Sequence, residues 1–171
     1  METKSFDECN KIEELFYKNT FRPYLIYKGY DLIWIRYDEK NIIHKEIQKK
    51  YDIDIILDDG IKNVSLSLKT VRNVYNKIFF ETISNMNINS LGWGHYSKSD
   101  YVIYTFGYPD KIISYMFKLV DIHKLNLENY ITGYGKTYDI HGNLLYKTEG
   151  KLIPLLDFEN KIIDYNRVKR L

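Results

Sequence analysis

Alternation of apolar and polar residues is clearest between positions 51 and 69. In YDIDIIL (51–57), Ile53, Ile55 and Leu57 share one face of an extended chain and Asp52 and Asp54 the other. In NVSLSLK (63–69), Val64, Leu66 and Leu68 face one way, and Asn63, Ser65, Ser67 and Lys69 the other. Asp58-Asp59-Gly60 between them is turn chemistry, so the segment predicts a hairpin. KIFFETIS (77–84) predicts an apolar strand carrying a single acid, Glu81, and SDYVIYTF (99–106) predicts another strand. Upstream, Phe6, Cys9, Ile12, Leu15 and Phe16 recur at helical spacing, which predicts a helix over 6–19, capped by Ser5 or Asp7 and closed by Pro23. YLIY (24–27) and DLIWIR (31–36) read as extended segments about a turn at Lys28-Gly29-Tyr30, and residues 39–50 as a surface helix. Beyond Pro109, residues 110–120 and 123–131 read as helices. Residues 137–148 read as a hairpin turning at His141-Gly142-Asn143. GKLIPLL (150–156) reads as a final edge strand, because Pro154 cannot donate to a ladder.

These elements predict one α/β domain over residues 1–171. It would have three layers: a mixed central sheet carrying the 51–69 hairpin and the 77–84 and 99–106 strands, with helices on both sides. A chain of 171 residues buries enough surface to hold one core without staples. Repeats, low-complexity tracts and linkers are absent from the sequence.

Composition narrows the partners. A formal charge of +2 is too small for wrapping a phosphate backbone as histones do, but permits a local basic groove. With 17 Tyr and 8 Phe the chain is rich in rings. Many Tyr stand beside Ile, Lys and Asn, the bias an AT-rich genome produces, although tyrosine also stacks on unpaired bases. Cys9 is the single cysteine, which excludes a disulfide framework and a multi-cysteine zinc site. METKSFDECNKIEELF lacks the basic and apolar regions of a signal peptide, and no apolar run reaches the roughly 18 residues of a membrane span. The expected setting is cytoplasmic, with no membrane partner.

The hairpin carries the candidate chemistry. If its strands pair in matching register, the Asp54 carboxylate and the Lys69 ammonium point into one space, and Glu81 arrives on the next strand. Carboxylates hold Mg²⁺ through hard oxygen ligands, the metal activates water, and a lysine orients that water or neutralises charge developing on a phosphate.

The order of these residues resembles the PD-(D/E)XK nucleases, which carry an Asp at the start of a hairpin and then acid-X-Lys on its second strand. Asp54 matches the first position and Lys69 the last. FFETISN (79–85), LGWGHYSKSDYVIY (91–104) and EGKLIP (149–154) look like the continuation seen in some members, with the core of the resemblance at about residues 45–106 and residues 110–171 forming C-terminal helices and a hairpin. The resemblance implies a restriction-endonuclease-like fold and a Mg²⁺- or Mn²⁺-dependent endonuclease acting on nucleic acid, DNA in the first instance. Many such nucleases work as homodimers. It further implies that Asp54, Glu81 and the backbone carbonyl of Leu68 bind metal while Lys69 positions the attacking water. One departure stands out: the middle acid is Ser67 here. Either the carboxylate has migrated to Glu81, or the site has decayed and the fold binds nucleic acid or a protein without cutting. The first is favoured, since a lone acid in an apolar strand is costly to bury without a role.

Auxiliary residues have plainer readings beside the functional ones. Asp52 replaces Asp54 if the register differs by two, and otherwise marks a solvent-facing strand position. The resemblance implies that Glu13 or Glu14 could position metal-bound water, as an acid of that helix does in some members; otherwise they form the polar face of the first helix. Gln48 precedes the core at a place where the sequences it resembles often carry a polar active-site residue. Trp93 and His95 lie in a Gly-rich loop, where the indole could stack on a base or plug a sheet edge. His44, His123 and His141 have no metal-ligand spacing, and the basic run Asn166 to Arg170 reads as a solvated tail.

Overall fold

The computed structural model describes residues 6–35, 42–71, 76–107, 111–138, 141–157 and 162–169. The chain opens with α1 (Phe6–Phe16), a π-helical turn (Tyr17–Phe21) and α2 (Arg22–Tyr27). β1 (Asp31–Ile35) and α3 (Ile42–Tyr51) lead into β2 (Ile55–Asp58), β3 (Asn63–Val71), β4 (Lys77–Asn85), β5 (Ser90–Leu91) and the short α4 (Trp93–Tyr96). Then come β6 (Tyr101–Gly107), β7 (Lys111–Lys118), α5 (Leu119–His123), β8 (Ile131–Tyr138), β9 (Leu144–Pro154) and β10 (Ile162–Lys169).

Two sheets result. The large one has the order β1-β2-β3-β6-β7-β10, and the small one the order β5-β4-β9-β8. All pairs in the small sheet are antiparallel, whereas the large sheet is mixed because β3 and β6 run parallel. A parallel neighbour needs a crossover, and here β4, β5 and α4 form it, so the excursion between the two strands builds half of the second sheet. One face of the large sheet packs Leu66, Leu68 and Ile103 under Phe16, Tyr17, Phe21 and Leu25 of the helical segment. Its other face packs Val102, Tyr104, Phe106 and Phe117 against Ile78, Phe80 and Ile153 of the small sheet and against Trp93, Leu119 and Ile122.

The α/β class and the mixed sheet follow expectation, but the layers differ from it. The second cover is a sheet rather than helices, and β4 belongs to that sheet rather than to the central one. The expected hairpins stand, with Gly60 and Gly142 at φ of 84° and 85° in their turns. Asp58 and Asp59 close the first turn by accepting the Gly60, Ile61 and Lys62 amides.

Five further expectations are corrected. Pro23 does not end the helical unit: it falls in the first turn of α2, where its missing N–H is not needed, so 24–27 is helix rather than strand. Residues 111–118 form a strand instead of a helix. Ile112, Ile113, Ser114 and Phe117 are all buried between β6 and β10, which erases the period-two signal. The predicted helix at 123–131 is the end of α5, a single 3₁₀ turn (Leu127–Asn129) capped by Asn126, and the start of β8. β9 is neither final nor an edge: it lies between β4 and β8, with Pro154 harmless as its last residue. The tail segment 166–169 pairs with β7 as part of β10. Ser5, Arg170 and the side chains of Asp7, Cys9 and His44 lie outside the described residues.

Candidate active site

The site exists because β3 is longer than β2. The two strands pair only from Asp58–Asn63 to Ile55–Leu66, and the Asp54 amide closes the ladder on the Leu66 carbonyl at 2.9 Å. β3 continues to Val71, paired with β6 on its other side. From Ser67 onward, among the described residues, its β2-side edge faces side chains instead of a strand. Continuing the register one step beyond Ile55–Leu66 sets Asp54 against Ser67, and three steps set Asp52 against Lys69.

What stops β2 is the end of α3. Asp52 takes a left-handed conformation, φ 55°, and its amide bonds the Gln48 carbonyl at 2.8 Å. This is the αL helix cap, usually filled by Gly or Asn, and aspartate is among the few other residues that tolerate it. The cap turns the Asp52 side chain inward. Its Oδ1 accepts from Lys69 Nζ at 2.5 Å and its Oδ2 from the Ser67 hydroxyl at 2.7 Å. Asp54, 1% exposed, accepts from the Leu68 amide at 2.7 Å and from Gln48 Nε2 at 2.8 Å. The Leu68 carbonyl shares that side of the strand with its amide.

Two other layers contribute acids. Glu13 of α1 is buried and accepts from the Thr70 hydroxyl at 2.9 Å. Glu81 of β4 accepts from the Trp93 amide and lies within the field of Lys69 and Asp52. That approach depends on glycine: a Cβ at Gly92 would strike the Glu81 backbone and side chain, and one at Gly94 would stand 2.6 Å from the Phe80 ring. The Trp93 ring packs on Phe80 and lies 5.6 Å from Lys69 Nζ, a cation–π distance.

Among the described residues, four carboxyl groups therefore lie around the Lys69 ammonium. Burial raises the pKa of Asp52, opposed by Lys69 and assisted by Asp54. Burial pushes Glu81 up to about 7, opposed by Lys69 and the Trp93 amide and assisted by Asp52. Burial alone would lower the Lys69 pKa, but Asp52, Asp54 and Glu13 outweigh it, and the net shift is upward, so the group stays cationic. The Tyr96 hydroxyl is pushed up by burial and then by Asp52, Glu81 and Asp54, which places it at the rim of the same cluster.

Of the residues expected from sequence, Asp52, Asp54, Ser67, Leu68, Lys69, Glu81, Glu13, Gln48 and Trp93 come together. Lys69 bonds Asp52 rather than Asp54, and Asp52 is not a solvent-facing position. Trp93 lies in a short helix, not a loop, and its ring is buried against Phe80. Glu14 does not join: it pairs with Lys18 on the helix surface. His95 is exposed, with its ring edge-on to Phe80 at 6.2 Å. Thr70 and Tyr96 went unread. The only sequence signal for either was proximity to Lys69 and Trp93. No protein-family model matches this chain, and no curated protein or solved structure does.

Proposed function

We propose that this chain is a metal-dependent nuclease of the PD-(D/E)XK kind, with a restriction-endonuclease-like core formed by α1, β1–β3 and β6 and with DNA as its substrate. The observation that carries the reading is the meeting of Asp52, Asp54 and Glu81 around Lys69, on the edge of β3 that no described strand covers. The donor set suits a hard divalent cation: carboxylate oxygens and a backbone carbonyl, with carboxyl groups outnumbering ammonium groups among the described residues of the site. In the described structure no three acidic, His or Cys groups form a ready metal cage. Lys69 and Ser67 engage Asp52, and Gln48 and Leu68 engage Asp54.

Asp52, Asp54 and Glu81, with the Leu68 carbonyl, would hold Mg²⁺ or Mn²⁺. When bound, such an ion polarises the phosphoryl group and acidifies water. The rest falls to the chain. Lys69 keeps its proton and is the cation that meets charge developing on a phosphate oxygen. Gln48 and the Leu68 amide fix the Asp54 carboxylate, and the Trp93 ring shields one side of the ammonium.

Ser67 supports a second reading, a nuclease fold that binds without cutting. It stands where the middle acid would be, and its hydroxyl ties up an Asp52 oxygen. The two readings separate on metal. The first predicts that Mg²⁺ or Mn²⁺ at 100 times its Kd raises the melting point by the equivalent of about 3 kcal/mol, and that Glu81→Gln and Asp52→Asn remove the effect. Equal melting curves in metal and in EDTA would favour the binder.

A further inference from the structure

A second chemically organised feature lies at the opposite end of β3 and β6 from Val71 and Phe106. It is a cleft of about 450 Å³ between the start of β6, the end of β7, α5 and the first hairpin turn, a volume in the range of small-ligand sites. Lys62, Lys98 and Lys118 border it, with His123 beside them. Asp100 is the only acid in this lining, and its Oδ2 already accepts from the Ser65 amide and hydroxyl, each at 2.8 Å. Asp121, also on α5, pairs with Lys124. Lys62 lies near Asp59, but Lys98 and Lys118 make no ion pair among the described residues. Three ammonium groups thus border one concavity with Asp100 as the single carboxylate in its lining, an excess of positive charge that raises the local concentration of anions.

The wall adds a directional donor. Ser97 and Ser99 are 3% and 5% exposed, and their Oγ atoms lie 3.1 Å apart. Two hydroxyls that share one hydrogen bond leave a second proton to donate, and no acceptor for it is found among the described residues. The Ser99 amide also points at Ser97 Oγ, at 3.5 Å, so the pair is held in place at the cleft.

We propose that this cleft binds a phosphate group, with Lys98 and Lys118 pairing its charge and the remaining serine hydroxyl donating to one of its oxygens. Two sources carry that chemistry: a free nucleotide seated on Tyr101 and Leu119, or one phosphate of a nucleic-acid strand crossing the mouth. Only the strand source connects with the nuclease reading, through geometry. The Lys98 amide bonds the Tyr51 carbonyl at 2.8 Å, one residue from Asp52. The site itself does not depend on that reading, because it can be tested without metal.

The test uses the full chain in EDTA at low salt, with adenosine monophosphate followed by calorimetry and a short fluorescent oligothymidylate followed by anisotropy. The proteins are wild type, the Lys98→Ala/Lys118→Ala double variant and Ser99→Ala. The lysines are exposed, so the double variant should keep the wild-type melting point. Wild type is expected to bind at least one probe saturably, with inorganic phosphate competing. The double variant should weaken binding by at least about tenfold and Ser99→Ala by about threefold or more, as lost charge-assisted and neutral hydrogen bonds require. Binding of the mononucleotide assigns a small-molecule pocket, and binding of the oligonucleotide alone assigns a strand track. Absence of saturable binding to both probes, or wild-type affinity in the double variant, overturns the proposal.

Discussion

The two halves of β3 obey different rules. From Asn63 to Leu66 the strand is zipped to β2, and its residues do what alternation predicts: Val64 and Leu66 enter the core while Asn63 and Ser65 stay out of it. From Ser67 to Val71 no described strand covers the β2 side, and consecutive residues meet three other segments: Asp52 and Asp54 before β2, Glu13 on α1, and through space Glu81 on β4. Backbone groups freed from a ladder need partners, and here a carboxylate supplies one, at the Leu68 amide. Chemistry collects where the ladder stops.

Substitutions can break that contrast. In the zipped half, Leu66→Ala empties a site only 2% exposed and should cost about 2–5 kcal/mol in denaturant unfolding. It should leave the Asp52–Lys69 pair in place, because no contact of that pair passes through the Leu66 side chain. In the open half the largest stability effect should come from Glu81, with the sign reversed. Its folded pKa of about 7 lies above the ordinary 4.5, so its protonated form is the one the fold prefers. The stability it contributes is complete below about pH 4.5 and is lost as pH rises through about 7. Glu81→Gln should therefore match wild type near pH 4 and exceed it near pH 8 by up to about 3 kcal/mol. Thermal melts across that range check this, and an unchanged pH slope would show that Glu81 is not the desolvated acid. Smallest of the three, Thr70→Val removes one of the donors to the buried Glu13 carboxylate and should cost about 1 kcal/mol. A null result would mean that the Thr70 hydroxyl does not help to hold α1 to the open half.

The same contrast explains what the sequence could reveal. The zipped half and its turn were legible because one face is buried and the other is not, and Asp58-Asp59-Gly60 has a single local meaning. Glu81 was legible as an acid among apolar neighbours. The pairing of Lys69 with Asp52 was not, since it depends on a left-handed helix cap that alternation cannot report. Nor was Thr70 with Glu13, whose residues are 57 positions apart. β7 was misread because both of its faces are covered, and the small sheet because nothing local distinguishes a strand that leaves one sheet for another. The pocket's acids were thus readable individually, and their contacts only from the fold.

The central claim is that the open edge of β3 cuts phosphodiester bonds with Lys69 as its cation. The most direct test incubates wild type and Lys69→Ala with plasmid DNA, single-stranded DNA and RNA, in Mg²⁺, Mn²⁺ and EDTA. The account predicts cleavage by wild type in metal, none in EDTA, and a loss of about 100- to 1,000-fold in the variant, the scale of removing one transition-state donor. Cleavage that survives Lys69→Ala at the wild-type rate, or no cleavage of any substrate by wild type, would contradict it.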